Sequence, residues 1–280
     1  MFGSKETRGM GIERFFNPRQ SVLSIASKNV TSASESHSIK SVTDLMLSRF
    51  RRIPLVSGSD KLNGLVTITD VLDFLGGGEK FSLYRKRAQG MNMQVKNIKV
   101  SDVRTIHPGT SIMKAIEHFR DHGRGAYPLV DEGRVKGVVS EWDFVDRMKV
   151  PIDITVEQIM THKPIVARKN YTVWDASRMM CRGGFRRLPV VENGIILGII
   201  TPYDVLSYLM KGERVSTHKL ESAKVAGIMN RFVTTTTPEA TVSDAIRLMR
   251  NKKVGGLPVV EDEELVGILT ERDILDSIVY

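Results

Sequence analysis

The sequence has little cysteine, few aromatic residues and no long apolar run, and each shortage excludes a class of protein. Cys181 is the one cysteine among 280 residues, so an internal disulfide is impossible and a reducing cytoplasm is the expected location. No apolar stretch reaches about 18 residues and no signal-peptide core occurs, so we expect no membrane contact. Aromatic residues make up 6% and are not interleaved with basic ones, which disfavours a surface that stacks nucleic-acid bases.

Residue groups that carry out catalysis are also missing. His118 and His122 are four positions apart on a predicted helix, but two ligands do not form a zinc site and no third lies near them in sequence. Cys181 has no evident His and Asn partners and is predicted to be a small core residue. Gly76-Gly77-Gly78 lacks the Lys-Ser/Thr of a phosphate-binding P-loop and predicts a helix end. We therefore expect neither an enzyme, nor a metal, nor a catalytic cofactor.

The formal net charge is +9, and part of the excess lies between residues 76 and 100, where six basic residues stand against one acidic residue. A basic segment attracts nucleic acid, so a nucleic-acid-binding scaffold is one interpretation. A solvated face, or a connector that contacts an acidic partner protein, is the favoured interpretation, because charge balance alone says little about partners.

Against these shortages stands a seven-residue phrase that occurs four times, at residues 64–70, 137–143, 198–204 and 267–273. Each copy has a glycine, two aliphatic residues, a hydroxyl residue three positions after the glycine and an aspartate three positions after that. Nine or ten residues before each glycine stands a proline followed by two aliphatic residues, at Pro54, Pro128, Pro189 and Pro258. These four units account for nearly the whole chain, so the sequence predicts a repeat protein.

Each unit also predicts the same order of secondary structure. The aliphatic run after the proline is a short buried strand, and a turn such as residues 192–194 leads to a second, antiparallel strand. The hydroxyl residue then opens an amphipathic helix near its N-cap. Another helix precedes the proline, with a short strand before it (residues 164–166 or 233–235) and, further upstream, a helix that ends in an Ile-Met pair (159–160 or 228–229). The chain is therefore predicted to be an α/β protein.

These motifs resemble those of the CBS domain, the cystathionine-β-synthase type of regulatory module. Four in tandem resemble the gamma subunit of AMP-activated kinase and the stand-alone four-repeat proteins of archaea. The resemblance covers about residues 20–280. It implies α+β repeats that pair through their sheets into two Bateman modules and form a disc, with repeats one and two in one module and three and four in the other. The expected segments are a flexible N-terminal segment 1–20, repeat one 21–80, a basic connector 81–98, repeat two 99–150, repeat three 151–215 and repeat four 220–280.

The repeated phrase suits the binding of a nucleotide without chemical change to it. One carboxylate can accept hydrogen bonds from both hydroxyls of a ribose, and the resemblance implies this role for Asp70, Asp143, Asp204 and Asp273. A phosphate favours hydroxyl and N–H groups at a helix start, which points to Thr67, Thr69, Ser140, Thr201 and Thr270. An ordinary helix cap, worth about 1 kcal/mol, has the same Thr-x-x-Asp pattern, so the phrase alone leaves both interpretations open.

Pairs of arginines favour the nucleotide interpretation. Arg51-Arg52 and Arg186-Arg187 precede the strand proline in repeats one and three, and the resemblance implies that this position faces a central cavity where cations contact phosphates. Repeats two and four have Gly125-Ala126 and Gly255-Gly256 there, which leaves room for an adenine edge to pair with backbone groups. The expected backbone contacts to adenine are at Ile53, Tyr127, Leu188 and Leu257. Four equal sites are not expected.

The repeats occupy almost the entire chain, so we expect a regulatory sensor and not a catalyst. The favoured function is an adenine-nucleotide-binding protein that responds to AMP, ADP or ATP. A protein that binds S-adenosylmethionine or methylthioadenosine remains an alternative, although these ligands need no arginines for phosphate. The expected partners are a second copy of the chain in a homodimer, an effector protein, or both.

Overall fold

The computed structural model describes residues 11–48, 50–76, 78–81, 90–148, 151–211 and 218–278. Within them, every repeat contains a helix, a β-hairpin and a second helix, as the sequence predicts. The elements of the first module are α1 (Ile39–Ser48), β1 (Arg52–Ser57), β2 (Lys61–Thr67), α2 (Ile68–Leu75), α3 (Ile112–His122), β3 (Ala126–Asp131), β4 (Arg134–Ser140) and α4 (Glu141–Val145).

The second module repeats this order with additional short elements. Repeat three contains β5 (Thr161–His162), β6 (Ala167–Arg168), α5 (Val173–Gly183), β7 (Leu188–Glu192), β8 (Ile195–Ile200) and α6 (Pro202–Met210). Repeat four contains α7 (His218–Ser222), α8 (Val225–Ile228), α9 (Val242–Lys252), β9 (Gly256–Glu261), β10 (Glu264–Thr270) and α10 (Glu271–Ser277). The hydroxyl residues of the repeated phrase stand at the N-caps of α2, α4, α6 and α10, which confirms the prediction for the helix starts.

The strands form one sheet in each module. The first sheet has the order β1-β2-β4-β3, and its two hairpins meet where Lys61 pairs with Arg134. The second has the order β5-β10-β8-β7-β6, with β9 also paired to β10, and its hairpins meet where Glu264 pairs with Ile195. Repeats one and two therefore share one sheet and repeats three and four share the other, as the resemblance implies.

The predicted upstream strands are much shorter than expected. Residues 233–235 form no strand, and a single bridge pairs Thr236 with Val259. Residues 164–166 are also not a strand, and the two-residue β6 follows them. The segments with the Ile-Met pairs form only one turn each, a 3-10 turn at Val156–Gln158 and the short helix α8. The strand residues pair within their own repeats, whereas the segments with the Ile-Met pairs cross to the other repeat of the module.

The glycine that begins each repeated phrase makes this crossing possible. A Cβ on Gly198 would lie 2.7 Å from the sulfur of Met229, and a Cβ on Gly267 would lie 2.4 Å from that of Met160. The segment before repeat four thus packs on repeat three, and the segment before repeat three packs on repeat four. The sequence assigned each Ile-Met pair to its own unit, whereas its methionine packs on the other repeat of the same module.

The two hydrophobic cores are shared between modules. One core joins repeat one to repeat three through residues such as Phe74, Leu75 and Leu206, where α2 packs on α5 and α6. The other joins repeat two to repeat four through residues such as Phe144 and Leu275, where α4 packs on α10. Each module is therefore held together by its sheet, and the two modules are held together by helices.

The N-terminal segment is more ordered than the sequence suggests. Phe16 is buried in the second core and stacks edge-to-face on Phe144, with 6.0 Å between the ring centroids. Residues 11–20 therefore pack on repeat two, which corrects the expected flexible segment 1–20 over this part, while residues 1–10 lie outside the described residues. Within the part of the chain that the structure describes, no helix is long and apolar enough to cross a membrane.

Candidate functional site

The four aspartates of the repeated phrase share one geometry. Each closes a capping box, in which its Oδ2 accepts hydrogen bonds from the backbone N–H and the hydroxyl of the N-cap residue. At Asp204 the distances from Oδ2 to Thr201 N and Oγ1 are 2.8 and 2.6 Å. The same two bonds occur at Asp70, Asp143 and Asp273. The helix-cap interpretation is therefore confirmed for Oδ2, and the ligand interpretation depends on the other oxygen.

The cap also engages the hydroxyls that the sequence assigned to phosphate. Each of them donates a hydrogen bond to Oδ2 of the aspartate, so none is a free donor in this state. The residues are Thr67, Ser140, Thr201 and Thr270. Thr69 lies in the first turn of α2, beside Asp70, and is half-buried.

The second carboxylate oxygen, Oδ1, distinguishes the four repeats. In repeat one, Nζ of Lys80 lies 2.5 Å from Oδ1 of Asp70. In repeat four, Oγ1 of Thr161 donates to Oδ1 of Asp273 at 3.1 Å. Among the described residues, no donor contacts Oδ1 of Asp143 or Asp204. Repeats two and three thus present an open acceptor, and the sites are unequal for a reason that the sequence did not indicate.

Burial shifts the protonation equilibrium of these carboxyl groups. It raises the pKa of Asp143, Asp204 and Asp273 above the ordinary aspartate value, against the opposing effect of the hydrogen bonds from their cap residues. A buried carboxylate with an unused acceptor is stabilised by any donor that reaches it. The hydroxyls of a ribose are donors of this kind.

The paired arginines meet the glycines of the even-numbered repeats. A Cβ on Gly125 would lie 2.4 Å from Nη1 of Arg186 and 2.9 Å from Nη2 of Arg52. A Cβ on Gly256 would lie 1.8 Å from Nη1 of Arg187, which donates to the carbonyl oxygen of Gly255. The small residues of repeats two and four therefore make room for arginine side chains from repeats one and three. The sequence predicts an adenine edge in this space, which the arginine side chains occupy instead.

Two glutamates that the sequence analysis did not select balance part of this charge. Arg186 donates from Nη2 to Oε2 of Glu141 at 2.7 Å and lies 3.9 Å from Oε2 of Glu271. Arg272 Nε lies 2.7 Å from Oε1 of Glu141, at ion-pair distance but without hydrogen-bond alignment. The side chain of Glu141 is 0% exposed. The sequence contains a pattern that distinguishes these glutamates, because glutamate follows the hydroxyl residue in repeats two and four only. The odd repeats have Ile68 and Pro202 at this position.

The cluster keeps an excess of positive charge. Five arginines face the two glutamates and Asp276, which lies 3.8 Å from Arg272: Arg51, Arg52, Arg186, Arg187 and Arg272. Burial, followed by the repulsion between neighbouring arginines, lowers the pKa of Arg52 and Arg187 to about 10. Glu141 and Glu271 outweigh the effect of burial at Arg186 and raise its pKa. The junction of the four repeats is thus short of negative charge, as expected of a site for an anion.

One open aspartate lies close to this excess charge. Arg51 of repeat one stabilises the ionised form of Asp204 in repeat three and opposes the rise in its pKa. Arg51 is exposed, whereas Arg52 and Arg187 are half-buried. An acceptor for ribose hydroxyls and an accessible guanidinium are therefore near each other across the contact between repeats one and three.

The surroundings of the other candidate residues do not form a binding site of their side chains. The side chains of Ile53, Tyr127, Leu188 and Leu257 are buried core groups, so only their backbone atoms are left for an adenine. The rings of His118 and His122 lie 4.5 Å apart, and among the described residues no group of three His, Cys, Asp or Glu side chains could hold a metal ion. Burial raises the pKa of the Cys181 thiol to about 12. Part of the basic connector, residues 82–89, lies outside the described residues.

The fold and the repeated capping aspartates define a protein of tandem regulatory repeats. A family model described as the CBS domain matches residues 22–77, 95–150, 156–211 and 225–280, so the chain belongs to the CBS-domain proteins.

Three relatives share most of its length. Protein MJ1225 of Methanocaldococcus jannaschii is 30% identical over 252 residues, which cover 84% of this chain and 90% of that protein. Its crystal structure, described as that of a candidate archaeal homologue of g-AMPK, has a TM-score of 0.87 at 29% identity and covers 92% of this chain and 99% of that chain. A 33.4 kDa protein from the ribosomal RNA operon of Thermofilum pendens is 30% identical over 242 residues, 81% of this chain and 80% of its own. A conserved protein from Pyrococcus horikoshii has the same fold, with a TM-score of 0.61 at 19% identity over 92% of this chain and 100% of that chain.

Proposed function

We propose that this CBS-domain protein binds adenine nucleotides and transmits their binding to another protein as a change of conformation. The observation that carries the proposal is the open carboxylate oxygen Oδ1 of Asp204, in a group whose ionised form the guanidinium of Arg51 from the facing repeat stabilises. A ribose needs the first and a phosphate needs the second. The excess of arginines at the junction of the repeats supports the same ligand class.

The phosphate would compete with a carboxylate that the chain already contains. Arg186 in the second module is held by Glu141 in the first module at 2.7 Å. A phosphate at the junction offers Arg186 another anionic partner and weakens this contact between modules. A ligand changes the conformation only through unequal affinity for two states, and this exchange of anions supplies the difference.

The signal requires a receiver, because the repeats occupy the chain and no catalytic group is proposed. A second copy of the chain, or an effector protein, is the proposed partner. Sedimentation with and without nucleotide measures self-association, and a monomer at high protein concentration in both conditions would contradict the homodimer.

Calorimetric titration of the full chain with adenosine, AMP, ADP, ATP and S-adenosylmethionine tests the ligand class. We expect AMP to bind more tightly than adenosine by about 1.5–3 kcal/mol, the scale of a hydrogen bond to a charged group, and this difference to decrease as salt is added. Equal affinities for adenosine and AMP would contradict the proposal.

The same titration separates the alternatives. The arginines repel the positive sulfonium group of S-adenosylmethionine, so the proposed function predicts that this ligand binds more weakly than AMP. The reverse preference would favour the alternative ligand class. Binding of single-stranded or duplex nucleic acid that falls steeply with salt, in the absence of nucleotide binding, would favour the scaffold interpretation of the basic connector.

A further inference from the structure

Lys80 lies just beyond α2 and reaches back to the aspartate of its own repeat. Its Nζ lies 2.5 Å from Oδ1 of Asp70 and donates to the carbonyl oxygen of Ile98 at 2.7 Å. The side chains of Lys80 and Asp70 are 26% and 14% exposed, so this is a shielded ion pair and not a mobile surface pair. The ammonium occupies the oxygen that is open in repeats two and three.

The short segment around Lys80 is held on two sides. The backbone N–H of Lys80 donates to Oδ2 of Asp73 at 3.3 Å. The next residue, Phe81, stacks edge-to-face on Trp174 of repeat three, with 4.8 Å between the ring centroids. Residues 78–81 therefore contact both repeat one and repeat three, and these contacts hold the backbone of Lys80 close to Asp70.

The contact differs in kind from that at Asp273. There, a neutral hydroxyl of Thr161 donates at 3.1 Å, and a ligand hydroxyl can replace it with a bond of the same type. At Asp70 the ligand must replace an ammonium, so the attraction between two opposite charges is lost together with a hydrogen bond. A ribose hydroxyl supplies the hydrogen bond but not the positive charge.

We infer that Lys80 closes the nucleotide site of repeat one, because its ammonium takes the place of the ribose hydroxyls at Asp70. The inference rests on the proposed function. Nucleotide binds at repeat one only after Lys80 is displaced, and in the closed state segment 78–81 links repeat one to repeat three. Repeat one is then a site that the chain itself occupies.

The number of AMP molecules bound per full-length chain, measured by calorimetry, tests the inference. We expect Lys80→Met to bind about one more AMP per chain than the unmodified protein, since the acceptor at Asp70 becomes available. Lys80→Gln, which keeps a polar side chain but has no charge, should give the same increase. The double variant Lys80→Met/Asp70→Asn should lose the added equivalent.

Lys40→Met is the matched control. Lys40 also pairs with an aspartate in repeat one, Asp44, at 3.7 Å, but on the exposed face of α1, where both side chains are more than half exposed. It should bind the same number of AMP molecules as the unmodified protein.

The outcomes that overturn the inference are distinct. If AMP binds but Lys80→Met and Lys80→Gln keep the stoichiometry and affinity of the unmodified chain, the role of Lys80 is wrong and the proposed function stands. The same holds if the added equivalent persists in the double variant. If neither the unmodified chain nor any variant binds AMP, the proposed function fails and this inference fails with it.

Discussion

At the scale of single residues, the two oxygens of each repeat aspartate have different roles. Oδ2 closes a helix cap in all four repeats, whereas Oδ1 contacts Lys80 in repeat one, Thr161 in repeat four and no donor of the described residues in repeats two and three. A substitution that keeps the cap and changes only Oδ1 therefore separates stability from binding.

Asp204→Asn is such a substitution. The amide oxygen can still accept from Thr201, but its NH₂ group cannot accept from ribose hydroxyls. We expect AMP affinity at one site to fall by about 1.5–3 kcal/mol, while the melting temperature changes little. Calorimetric titration and thermal unfolding measure the two effects.

Asp175→Asn is the control, because Asp175 closes the same type of capping box with Thr172, at 3.0 and 2.6 Å, on helix α5 of the same repeat. It should leave AMP affinity unchanged. A result in which both variants lose the same stability and neither loses affinity would return Asp204 to a purely structural role.

The raised pKa of Asp204 predicts opposite pH effects on binding and stability. As the pH falls through this raised pKa, the carboxylate that accepts ribose hydroxyls is lost, so adenosine affinity should decrease. Over the interval between the unfolded and the folded pKa, the folded state binds the proton more readily, so this group's contribution to the free energy of unfolding increases as the pH falls.

Adenosine is the suitable probe for that experiment because it carries no phosphate that titrates. Its affinity is measured between neutral and acidic pH in the unmodified chain and in Asp204→Asn, where the dependence at that site should disappear. The same pH profile in both proteins would exclude Asp204 as its source.

At the scale of elements, odd and even repeats are complementary. The odd repeats place arginine pairs at the start of β1 and just before β7, and the even repeats place glutamates at the start of α4 and α10 and glycines opposite the arginines. Glu141 joins the two modules, because it contacts Arg186 of repeat three and Arg272 of repeat four.

Glu141→Gln is expected to raise the affinity for AMP but not for adenosine, because Arg186 loses its anionic competitor. The same change should lower the free energy of unfolding by about 1–3 kcal/mol, since it weakens charged hydrogen bonds in a buried site. Titration with both ligands and chemical unfolding measure these effects.

Glu192→Gln serves as the control, since Glu192 pairs with Lys169 at 2.6 Å on the surface. It should leave both affinities unchanged. A parallel fall of AMP and adenosine affinity in Glu141→Gln would mean that Glu141 supports the site and does not compete with the phosphate.

At the scale of the whole molecule, sheets and cores divide the chain differently. The sheets pair repeat one with two and three with four, whereas the cores pair repeat one with three and two with four. Neither module has a complete core of its own, so we expect the described fold to unfold as one cooperative unit.

Phe74→Ala tests this expectation, because Phe74 is 0% exposed in the core that repeats one and three share. The free energy of unfolding should fall by about 3–5 kcal/mol, as a single transition that includes repeat three. Phe232→Ala, at a side chain that is 94% exposed, should change it by less than about 0.5 kcal/mol. Two transitions, of which only one shifts in Phe74→Ala, would contradict a shared core.

The sequence by itself determined the repeat, its hairpin and helices, and the caps. These follow from local patterns: alternation of apolar residues, turn residues, and a hydroxyl three positions before an aspartate. The pairing of repeats into modules was implied by the resemblance to the CBS domain and not by any local pattern. It also identified the arginine pairs, because two adjacent cations at the start of a buried strand are costly to bury without an anionic partner.

The tertiary structure alone decided what those residues contact. Lys80 meets Asp70 across 10 positions, and Arg186 meets Glu141 across 45, so no local pattern predicts either pair. The upstream segments cross to the neighbouring repeat, and the cores join repeats that share no sheet. Which aspartates are open and which arginines are held depends on these long-range contacts, because the four copies share the glycine, the hydroxyl residue and the aspartate, and these shared residues do not distinguish one repeat from another.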